Sequence, residues 1–367
     1  MIRKSLFKEV NRLLLALLLI QLITGCTPNI HPAGIAVSNG QIVNNLFITP
    51  DGTELPLKSW KPSEQGIKSI IIAIHGFNDY SNFFQQTGNY FSQHNTLSYA
   101  YDQRGFGRTK NRGLWAGIDT YSSDLACFIR LVKDKHPTIP VFLLGESMGG
   151  AIVISTVTQS SALPVDGVIL VAPAVWARET MPWYQNVLLW TLSHTVPWMT
   201  LTVSDLDIKP SDNIDMLIAL GQDPLVIKET RVESISGLTD LMDHAFSSAN
   251  RISTNTLILY GEKDEIIPKE PTYQFLHNLT TDKSNHPLIA FYENGYHMLL
   301  RDLQASILWQ DINVWINSSS SLPSGADKRA LELLKKPLIK SGRSKLCSEY
   351  LDSRQKSHVI AGYCEDF

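Results

Sequence analysis

Residues 145–149 read Gly-Glu-Ser-Met-Gly, a serine between two glycines at a spacing that suits nucleophilic chemistry. The apolar run 141–144 precedes this motif, and helical spacing follows from Ala151. A sharp turn between a strand and a helix would hold the Ser147 hydroxyl clear of the backbone. Glycines remove the side chains that would clash in such a turn. The backbone N–H of Met148, at the start of the helix, could then stabilise an oxyanion.

The motif alone is a weak signal, because roughly one random chain of this length in ten would contain it. A serine hydroxyl is also a poor nucleophile at neutral pH and needs a base within hydrogen-bond reach. The interpretation therefore depends on the elements around the motif and on the histidines and acids that they present.

Short apolar segments alternate with helical patterns along most of the chain. Strands are predicted at 43–49, 55–60, 69–74, 97–101, 141–144, 166–172, 256–260 and 288–292, and helices at 119–135, 151–160, 271–279 and 301–316. The β-branched run 69–74 is typical of a strand buried on both faces. The alternation predicts an α/β fold, with a mostly parallel central sheet and helices on both faces.

One segment, from Ala174 to about Gly237, is too long to be an ordinary connection between two strands. It is rich in tryptophan and proline, and we interpret it as a helical cap over the carboxyl edge of the sheet. Its tryptophans are candidates for the wall of a substrate pocket: Trp176, Trp183, Trp190 and Trp198. An apolar cap beside a nucleophile favours an apolar substrate. The alternative is that these aromatic residues pack the small core of the insertion itself.

The N-terminus resembles a secretion signal rather than part of the fold. A basic stretch and an apolar run lead to Ile-Thr-Gly-Cys at residues 23–26, which is similar to a bacterial lipobox. We expect a signal peptide at 1–25, lipid attachment at Cys26 and a tether at 26–41. Thr27 favours the periplasmic face of the outer membrane of a Gram-negative bacterium. An ordinary signal peptide or a short membrane anchor is the alternative.

Composition restricts the remaining function classes. The chain has 367 residues, is 44% apolar and 18% charged, and carries a formal net charge of −3. These values suit one large domain, which we place at 42–317 with the cap as its insertion, and nothing in them indicates nucleic-acid binding. No C-x-x-C pair suggests a metal. Cys127 is predicted to be a buried apolar residue, and a disulfide between Cys347 and Cys364 is plausible in an oxidising compartment.

A family resemblance rests on five motifs in one order. They are His75-Gly76-Phe77, Asp102-x-Arg104-Gly105-x-Gly107, Gly145-x-Ser147-x-Gly149, Gly261-x-x-Asp264-x-x-x-Pro268 and Gly295-Tyr296-His297. Together they resemble the α/β-hydrolase superfamily, specifically monoacylglycerol lipases and bacterial lysophospholipases, which belong with the serine aminopeptidase S33 domain. The resemblance covers about residues 42–317.

The resemblance implies a triad in the chain order serine, acid, histidine. His297, in the loop after the last strand, is then the general base. Asp264 matches the family spacing for the acid that orients it, with Asp240 and Asp243 as weaker alternatives. The oxyanion would lie between the N–H groups of Phe77 and Met148, and no metal or cofactor is expected.

Other polar residues of these motifs are given structural roles. We expect His75 to fix its loop by hydrogen bonds, and Asp102 and Arg104 to brace a turn near the site. The tail 318–367 contains a basic amphipathic pattern between Gly325 and Lys345. This pattern fits either a helix packed on the domain or one lying on an anionic membrane.

These observations predict a lipid-anchored serine hydrolase that cleaves esters of the monoacylglycerol or lysophospholipid type. A short-chain carboxylesterase, a thioesterase or a peptidase could use the same triad. A catalytically silent envelope lipoprotein is the alternative from another class, although a scaffold has no need for three dispersed triad residues. Oligomeric state, acyl length and head group are not given by the sequence.

Overall fold

The computed structural model describes residues 28–62, 66–160, 163–202, 208–280, 287–318 and 321–335. The predicted signal peptide, Cys26, the pair Cys347 and Cys364, and the tail beyond 335 lie outside these residues. Within them nine strands form one sheet: β1 (Gln41–Val43), β2 (Leu46–Ile48), β3 (Glu54–Trp60), β4 (Ser69–Ile74), β5 (Thr96–Tyr101), β6 (Val141–Glu146), β7 (Gly167–Val171), β10 (Thr256–Gly261) and β11 (Leu288–Tyr292). Their order across the sheet is β1-β2-β3-β5-β4-β6-β7-β10-β11.

The sheet is antiparallel only at one edge. Strands β1, β2, β3 and β5 pair antiparallel, and every pair from β5 through β4, β6, β7 and β10 to β11 is parallel. Every residue of β4, β5, β6, β7 and β10 is buried. Since a parallel sheet needs cover on both faces, helices must pack on each side, and the predicted α/β fold is confirmed.

Two helical layers provide this cover. On one face Ile70, Ile72 and Ile74 of β4 pack with α2 (Ile118–Lys135), α3 (Met148–Gln159), α6 (Val232–Ser247) and α7 (Lys269–Thr280). On the other, Ile71 and Ala73 pack with α1 (Gln85–Gln93) and α8 (Ala305–Ser318). Period-two alternation of the strand side chains thus divides the apolar core into two layers. In the part of the chain that is described, no helix is both long and apolar enough to cross a bilayer.

The predicted strand 43–49 is wrong as a single element. It is split into β1 and β2 by Asn44 and Asn45, which have φ values of 45° and 62°. Asparagine adopts this left-handed region more readily than most residues, so the two asparagines make a tight hairpin within the predicted strand.

The segment between β7 and β10 forms the cap. It contains α4 (Trp183–Thr195), β8 (Thr200–Thr202), α5 (Ile214–Gln222), β9 (Glu229–Arg231) and α6, and β8 pairs with β9 antiparallel. Gly237, the predicted end of the insertion, lies inside α6. A Cβ at this glycine would approach the Trp115 ring to 2.3 Å. Because Gly237 lies within the helix and packs against Trp115, α6 passes without interruption from the cap to the core of the domain.

The described part of the predicted tether is packed on the domain. We call residues 28–40 the strap. His31 N–H donates to the carbonyl of Trp115 at 2.8 Å, and Val37 N–H donates to that of Pro50 at 2.8 Å. Asn29 N–H reaches the Glu233 carboxylate at 3.2 Å. These hydrogen bonds tie the strap, the described part of the predicted tether 26–41, to the domain.

The described start of the tail is also packed on the domain. Helix α9 (Ala326–Leu334) buries Ala326, Asp327 and Ala330. Arg329 pairs with Glu262 and, at 3.4 Å, with Glu293. For these residues the structure shows a packed helix with a charged outer face; the rest of the basic pattern lies outside the described residues.

Candidate active site

Ser147 lies at the turn between β6 and α3, with φ 54° and ψ −118°. Its N–H donates to the carbonyl of Val171 at 2.9 Å, and its carbonyl accepts from Ala174 N–H at 2.9 Å. A non-glycine residue in this region of φ carries strain of about 1–3 kcal/mol. The neighbouring hydrogen bonds hold the serine in that conformation, with its side chain at the carboxyl edge of the sheet.

The close approach of α3 to β4 requires glycine at position 149. A Cβ there would lie 2.1 Å from the carbonyl oxygen of Ile74. The motif therefore brings the start of the helix directly against the end of the neighbouring strand. That contact places the loop after β4, which contains Gly76 and Phe77, beside the serine, and a Cβ on Gly76 would lie 3.3 Å from the Ser147 Cβ.

His297 and Asp264 lie on the loops that follow β11 and β10, and they form a buried pair. The His297 Nδ1 donates to Asp264 Oδ2 at 2.8 Å. The other oxygen of Asp264 accepts from the N–H groups of Ile266 at 2.8 Å and Ile267 at 2.9 Å. Because Nδ1 carries the proton, Nε2 of a neutral His297 is free to accept one. Asp264 thus fixes both the orientation and the tautomer of the ring.

Two opposing effects act on the pKa of His297. Burial disfavours the charged imidazolium, but the charge of Asp264 and its hydrogen bond favour it, and the pKa is raised above its usual value. The negative charge of Glu146 adds to this increase. His297 is therefore a stronger base than a solvent-exposed histidine.

Ser147 and His297 line the same cavity, which has a volume of about 590 Å³. Among the described residues no hydrogen bond joins their side chains. In enzymes without substrate this contact is often long and tightens only in the complex. A serine and a histidine hydrogen-bonded to a buried carboxylate thus lie at one cavity.

Phe77 and Met148 are the two residues whose N–H groups are predicted to stabilise the oxyanion. Met148 is the first residue of α3, and Phe77 follows the glycine that approaches Ser147. Within the described ranges neither N–H group donates to a protein acceptor. Free donors beside a helix N-terminus can stabilise negative charge on a substrate oxygen.

A buried ion cluster, not found by sequence reasoning, lies behind the serine. Arg301 Nη1 contacts Asp79 Oδ2 at 2.7 Å, and its Nη2 contacts Glu146 Oε2 at 3.0 Å. Burial opposes the charge of Arg301, but the two acids raise its pKa, while burial raises the pKa of Glu146. Arg301 therefore joins the loop after β4, the nucleophile turn and the loop that carries His297. The one sequence feature that could have indicated this cluster is Glu146, a charged residue within the serine motif.

His75, Asp102 and Arg104 have the predicted structural roles. His75 donates from Nδ1 to the carbonyl of Gly76 at 2.8 Å and accepts from Gln103 N–H at 3.0 Å, and burial lowers its pKa. Asp102 accepts from two backbone N–H groups, those of Ser81 and Arg108, at 3.0 and 2.9 Å. Arg104 pairs with Asp51 at 2.9 Å and Asp124 at 2.6 Å.

The cavity wall is predominantly apolar. Beside Ser147 and His297, the side chains that line it include Trp176, Met181, Leu189, Ile235, Leu238, Met242, Ile266 and Ile267. Of the four tryptophans predicted here, only Trp176 lies in the wall. Trp183, Trp190 and Trp198 are 76%, 60% and 55% exposed and are not among the residues that line it. Trp183 and Trp190 depart from the prediction because α4 turns Gln185 and Leu189 to the cavity and its other side to the surface.

No group of three or more histidine, cysteine, aspartate or glutamate side chains that could hold a metal ion occurs in the described ranges. Nor does the chemistry of a serine, a histidine and an aspartate require a metal. Cys127, the free cysteine in the described part of the chain, is buried away from the cavity.

The sequence is similar to a known protein family and to monoglyceride lipases of several organisms. The family described as serine aminopeptidase, S33, matches residues 65–304. Monoglyceride lipase of Homo sapiens is 23% identical over 280 residues, covering 75% of this chain and 90% of that protein. Monoacylglycerol lipase of Mycolicibacterium smegmatis is 22% identical, covering 74% and 96%.

A soluble variant of monoglyceride lipase from Saccharomyces cerevisiae, solved with a substrate analogue, is similar in fold. The TM-score is 0.63 at 19% identity, over 80% of this chain and 99% of that one. The family match spans more than half of the sequence. The chain therefore belongs to the serine aminopeptidase S33 family of the α/β-hydrolase superfamily.

Proposed function

We propose that this protein hydrolyses carboxylic esters of lipids, of the monoacylglycerol or lysophospholipid type. The observation that carries the proposal is a largely apolar cavity of about 590 Å³ with Ser147 and His297 in its wall. An acyl chain buries apolar surface there, at about 25 cal/mol per Å² removed from water. The names of the human and mycobacterial relatives favour the same substrate class.

The proposed reaction proceeds through an acyl-enzyme. Ser147 Oγ attacks the ester carbonyl while His297 Nε2 takes its proton, and the oxyanion lies between the N–H groups of Phe77 and Met148. The C–O bond to the alcohol breaks, and His297 returns the proton to the leaving oxygen. His297 then deprotonates a water molecule that attacks the acyl carbonyl, the bond from that carbon to Ser147 Oγ breaks, and His297 returns the proton to Oγ as the fatty acid leaves. Asp264 stabilises the imidazolium of His297 during both acylation and deacylation.

Hydrolysis of p-nitrophenyl esters of increasing acyl length tests the proposal. We expect rates that rise from acetate to medium and long chains, release of fatty acid from a monoacylglycerol, and loss of at least about 10³-fold in Ser147→Ala. Ser92→Ala, at an exposed hydrogen bond of α1, serves as the matched control and should keep full activity. A folded protein without activity, unlabelled at Ser147 by a fluorophosphonate, would exclude this function.

The same assay, extended to aminoacyl substrates, distinguishes a lipid esterase from the alternative enzymes that could use this triad. Activity confined to acetate and butyrate would indicate a short-chain esterase, and cleavage of aminoacyl substrates would indicate a peptidase. The apolar wall favours the lipid ester over a substrate with a charged amine, because burial of an unpaired charge is costly.

We further propose that Cys26 carries lipid and holds the protein at the cell envelope. The support is the lipobox-like sequence at 23–26. Mass spectrometry of the purified protein should show a mature N-terminus at Cys26 with acyl groups attached. Cys26→Ala should stop both processing and fractionation with membranes, and an unmodified Cys26 would refute the anchor.

A further inference from the structure

Helix α9 lies at the edge of the sheet, beside β11. Leu322 and Ala326 are buried in the core layer that contains α1 and α8. Ala330 is buried in the core layer on the other face of the sheet. The segment therefore crosses the end of the sheet and is held by apolar contacts in both layers. It lies beyond residue 304, where the family match ends.

A buried carboxylate fixes the start of this segment. Asp311 of α8 is fully buried. It accepts hydrogen bonds from the Tyr292 hydroxyl at 2.7 Å, from Ser324 N–H at 3.1 Å and from the Ser324 hydroxyl. Tyr292 is the last residue of β11. Because a buried polar network with all of its partners is rigid, α9 has a fixed position relative to the end of this strand.

One side chain of α9 contacts both loops that carry the acid and the base. Arg329 pairs through Nε with Glu262 and through Nη2 with Glu293, the second at 3.4 Å. Glu262 precedes Asp264 by two residues, and Glu293 precedes His297 by four. A guanidinium presents its donors in a planar, rigid fork. One arginine can therefore hold these two carboxylates, and with them the two loops, at a set spacing.

The two loops are packed closely at their bases. Lys263 N–H donates to the carbonyl of Gly295 at 2.9 Å. A Cβ on Gly261 would lie 2.4 Å from the carbonyl oxygen of Tyr296. These contacts join the residues next to the aspartate to those next to the histidine. A change in the spacing of the loops would therefore reach the hydrogen bond between the acid and the base.

Charge explains why a cation is needed at this point. Glu262 and Glu293 contact the same guanidinium, so their carboxylates lie near each other and would repel without it. An exposed ion pair contributes little to the stability of a whole domain. Burial of apolar side chains already holds α9 in place, so Arg329 does not have to supply that stability. Its effect is on the spacing of two loops.

We propose that α9 fixes the geometry of the acid and the base, and that Arg329 is a positioning residue for them. Through Glu262 and Glu293 it holds the loops of Asp264 and His297 at the spacing that their hydrogen bond requires. The effect on rate rests on the proposed ester hydrolysis and extends it to part of the tail. The effect on the hydrogen bond itself requires no catalysis.

Charge reversal in the full chain tests this role. Arg329→Glu would place a third carboxylate against Glu262 and Glu293 and separate the loops. We expect kcat for a p-nitrophenyl ester to fall by about tenfold at unchanged KM, because the base is displaced and the cavity is not. Rates are compared at a pH above the acid limb, so that a changed pKa of His297 does not contribute. Adding Glu262→Arg restores a pair of opposite charges and should recover most of the loss.

Lys328→Glu is the matched control. It makes the same change of charge at the neighbouring, exposed position of α9 and should keep the wild-type kcat. An equal loss in this control would overturn the proposal, since charge at a distance would then explain the effect. A wild-type kcat for Arg329→Glu, a raised KM at constant kcat, or a double variant no better than the single one would overturn it as well.

Glu262→Gln covers the case in which Arg329→Glu does not fold. It removes the pair without introducing repulsion, since the amide has no charge. We expect kcat to fall by about threefold at unchanged KM, because the loops lose a contact and are not driven apart. An unchanged kcat in this variant would also overturn the positioning role.

Proton NMR provides a second test that needs no substrate. The Nδ1 proton of His297 is buried and shared with Asp264, so it should give a downfield resonance that exchanges slowly with water. Arg329→Glu should broaden this resonance by faster exchange, and Lys328→Glu should not. An unchanged resonance in Arg329→Glu would overturn the proposal. If the wild-type protein hydrolyses no ester, the proposed function fails, while the resonance still tests the role of α9.

Discussion

Under the proposed mechanism His297 acts as a base only while its Nε2 carries no proton, so its pKa would set the acid limit of activity. Burial and the opposing influence of Asp264 leave this pKa raised. Below the pKa the imidazolium cannot accept the serine proton, and above it the neutral ring can.

We therefore expect kcat/KM for a soluble ester to rise with pH through a midpoint above the usual histidine value of about 6.5. A pH profile from about 5 to about 9 measures this directly. A midpoint at or below the usual value would contradict the raised pKa of His297.

Glu146 contributes to that shift without contacting His297 directly. Its negative charge favours the imidazolium, so Glu146→Gln should lower the pKa of His297 and move the acid limb of the profile to lower pH, by less than about one unit. The profile of kcat/KM against pH is the measurement.

Glu293→Gln is the control for this variant, since Glu293 is exposed and pairs with Arg329 instead. It should leave the midpoint in place. A Glu146→Gln profile that superimposes on that of the wild type would show that the buried cluster does not act on the base.

At the scale of elements, the start of α3 depends on its contact with the end of β4. Alanine normally stabilises a helix relative to glycine by up to about 1 kcal/mol. At position 149 its Cβ would lie 2.1 Å from the Ile74 carbonyl oxygen, so the helix or the strand would have to move.

We expect Gly149→Ala to lower the free energy of unfolding by about 1–3 kcal/mol and to reduce activity, because Ser147 and Met148 lie at this junction. Denaturant unfolding measures the first effect. Gly221→Ala in α5, where an added Cβ meets nothing within 4 Å, should be neutral or stabilising. Equal stability of the two variants would refute the packing argument.

The elements that sequence patterns predicted well are those with strong local signals. The run 69–74 and the motif around Ser147 are determined by neighbouring residues, and both predictions agree with the structure. Helix α1 was missed because its sequence, Gln85–Gln93, is mostly polar and contains a glycine. Its burial comes from tertiary packing of Phe91, which local patterns do not contain.

The exposed side of α4 was missed for a related reason. An apolar helix shows no contrast between its faces, so the sequence did not indicate that Leu189 would line the cavity while Trp183 and Trp190 face outward. The contacts of Arg301 with Asp79 and Glu146 could not be predicted either, because residues so distant in sequence meet only once the sheet order is known.

At the scale of the whole molecule, Arg301 joins three loops. Its removal would leave Asp79 and Glu146 as buried carboxylates without their cation, and breaking such a pair costs about 3–5 kcal/mol. We expect Arg301→Met to lower the free energy of unfolding by this amount, measured by denaturant, and to reduce activity.

Arg329→Met is the matched control. It breaks a pair at the surface, where ion pairs contribute little, and should have a much smaller effect. An Arg301 variant as stable as the Arg329 variant would show that the buried acids are protonated in the folded protein and need no cation.

The order of the joined loops along the chain has a consequence for biosynthesis. Asp79 and Glu146 are translated long before Arg301, and Ser147 long before Asp264 and His297. Domains fold as their residues emerge, from the N-terminus onward. A nascent chain that has reached α6 already contains the nucleophile but neither its base nor the cation that joins the loops. Under the proposed mechanism the serine stays inert on the ribosome and becomes reactive only when β11 joins the sheet edge.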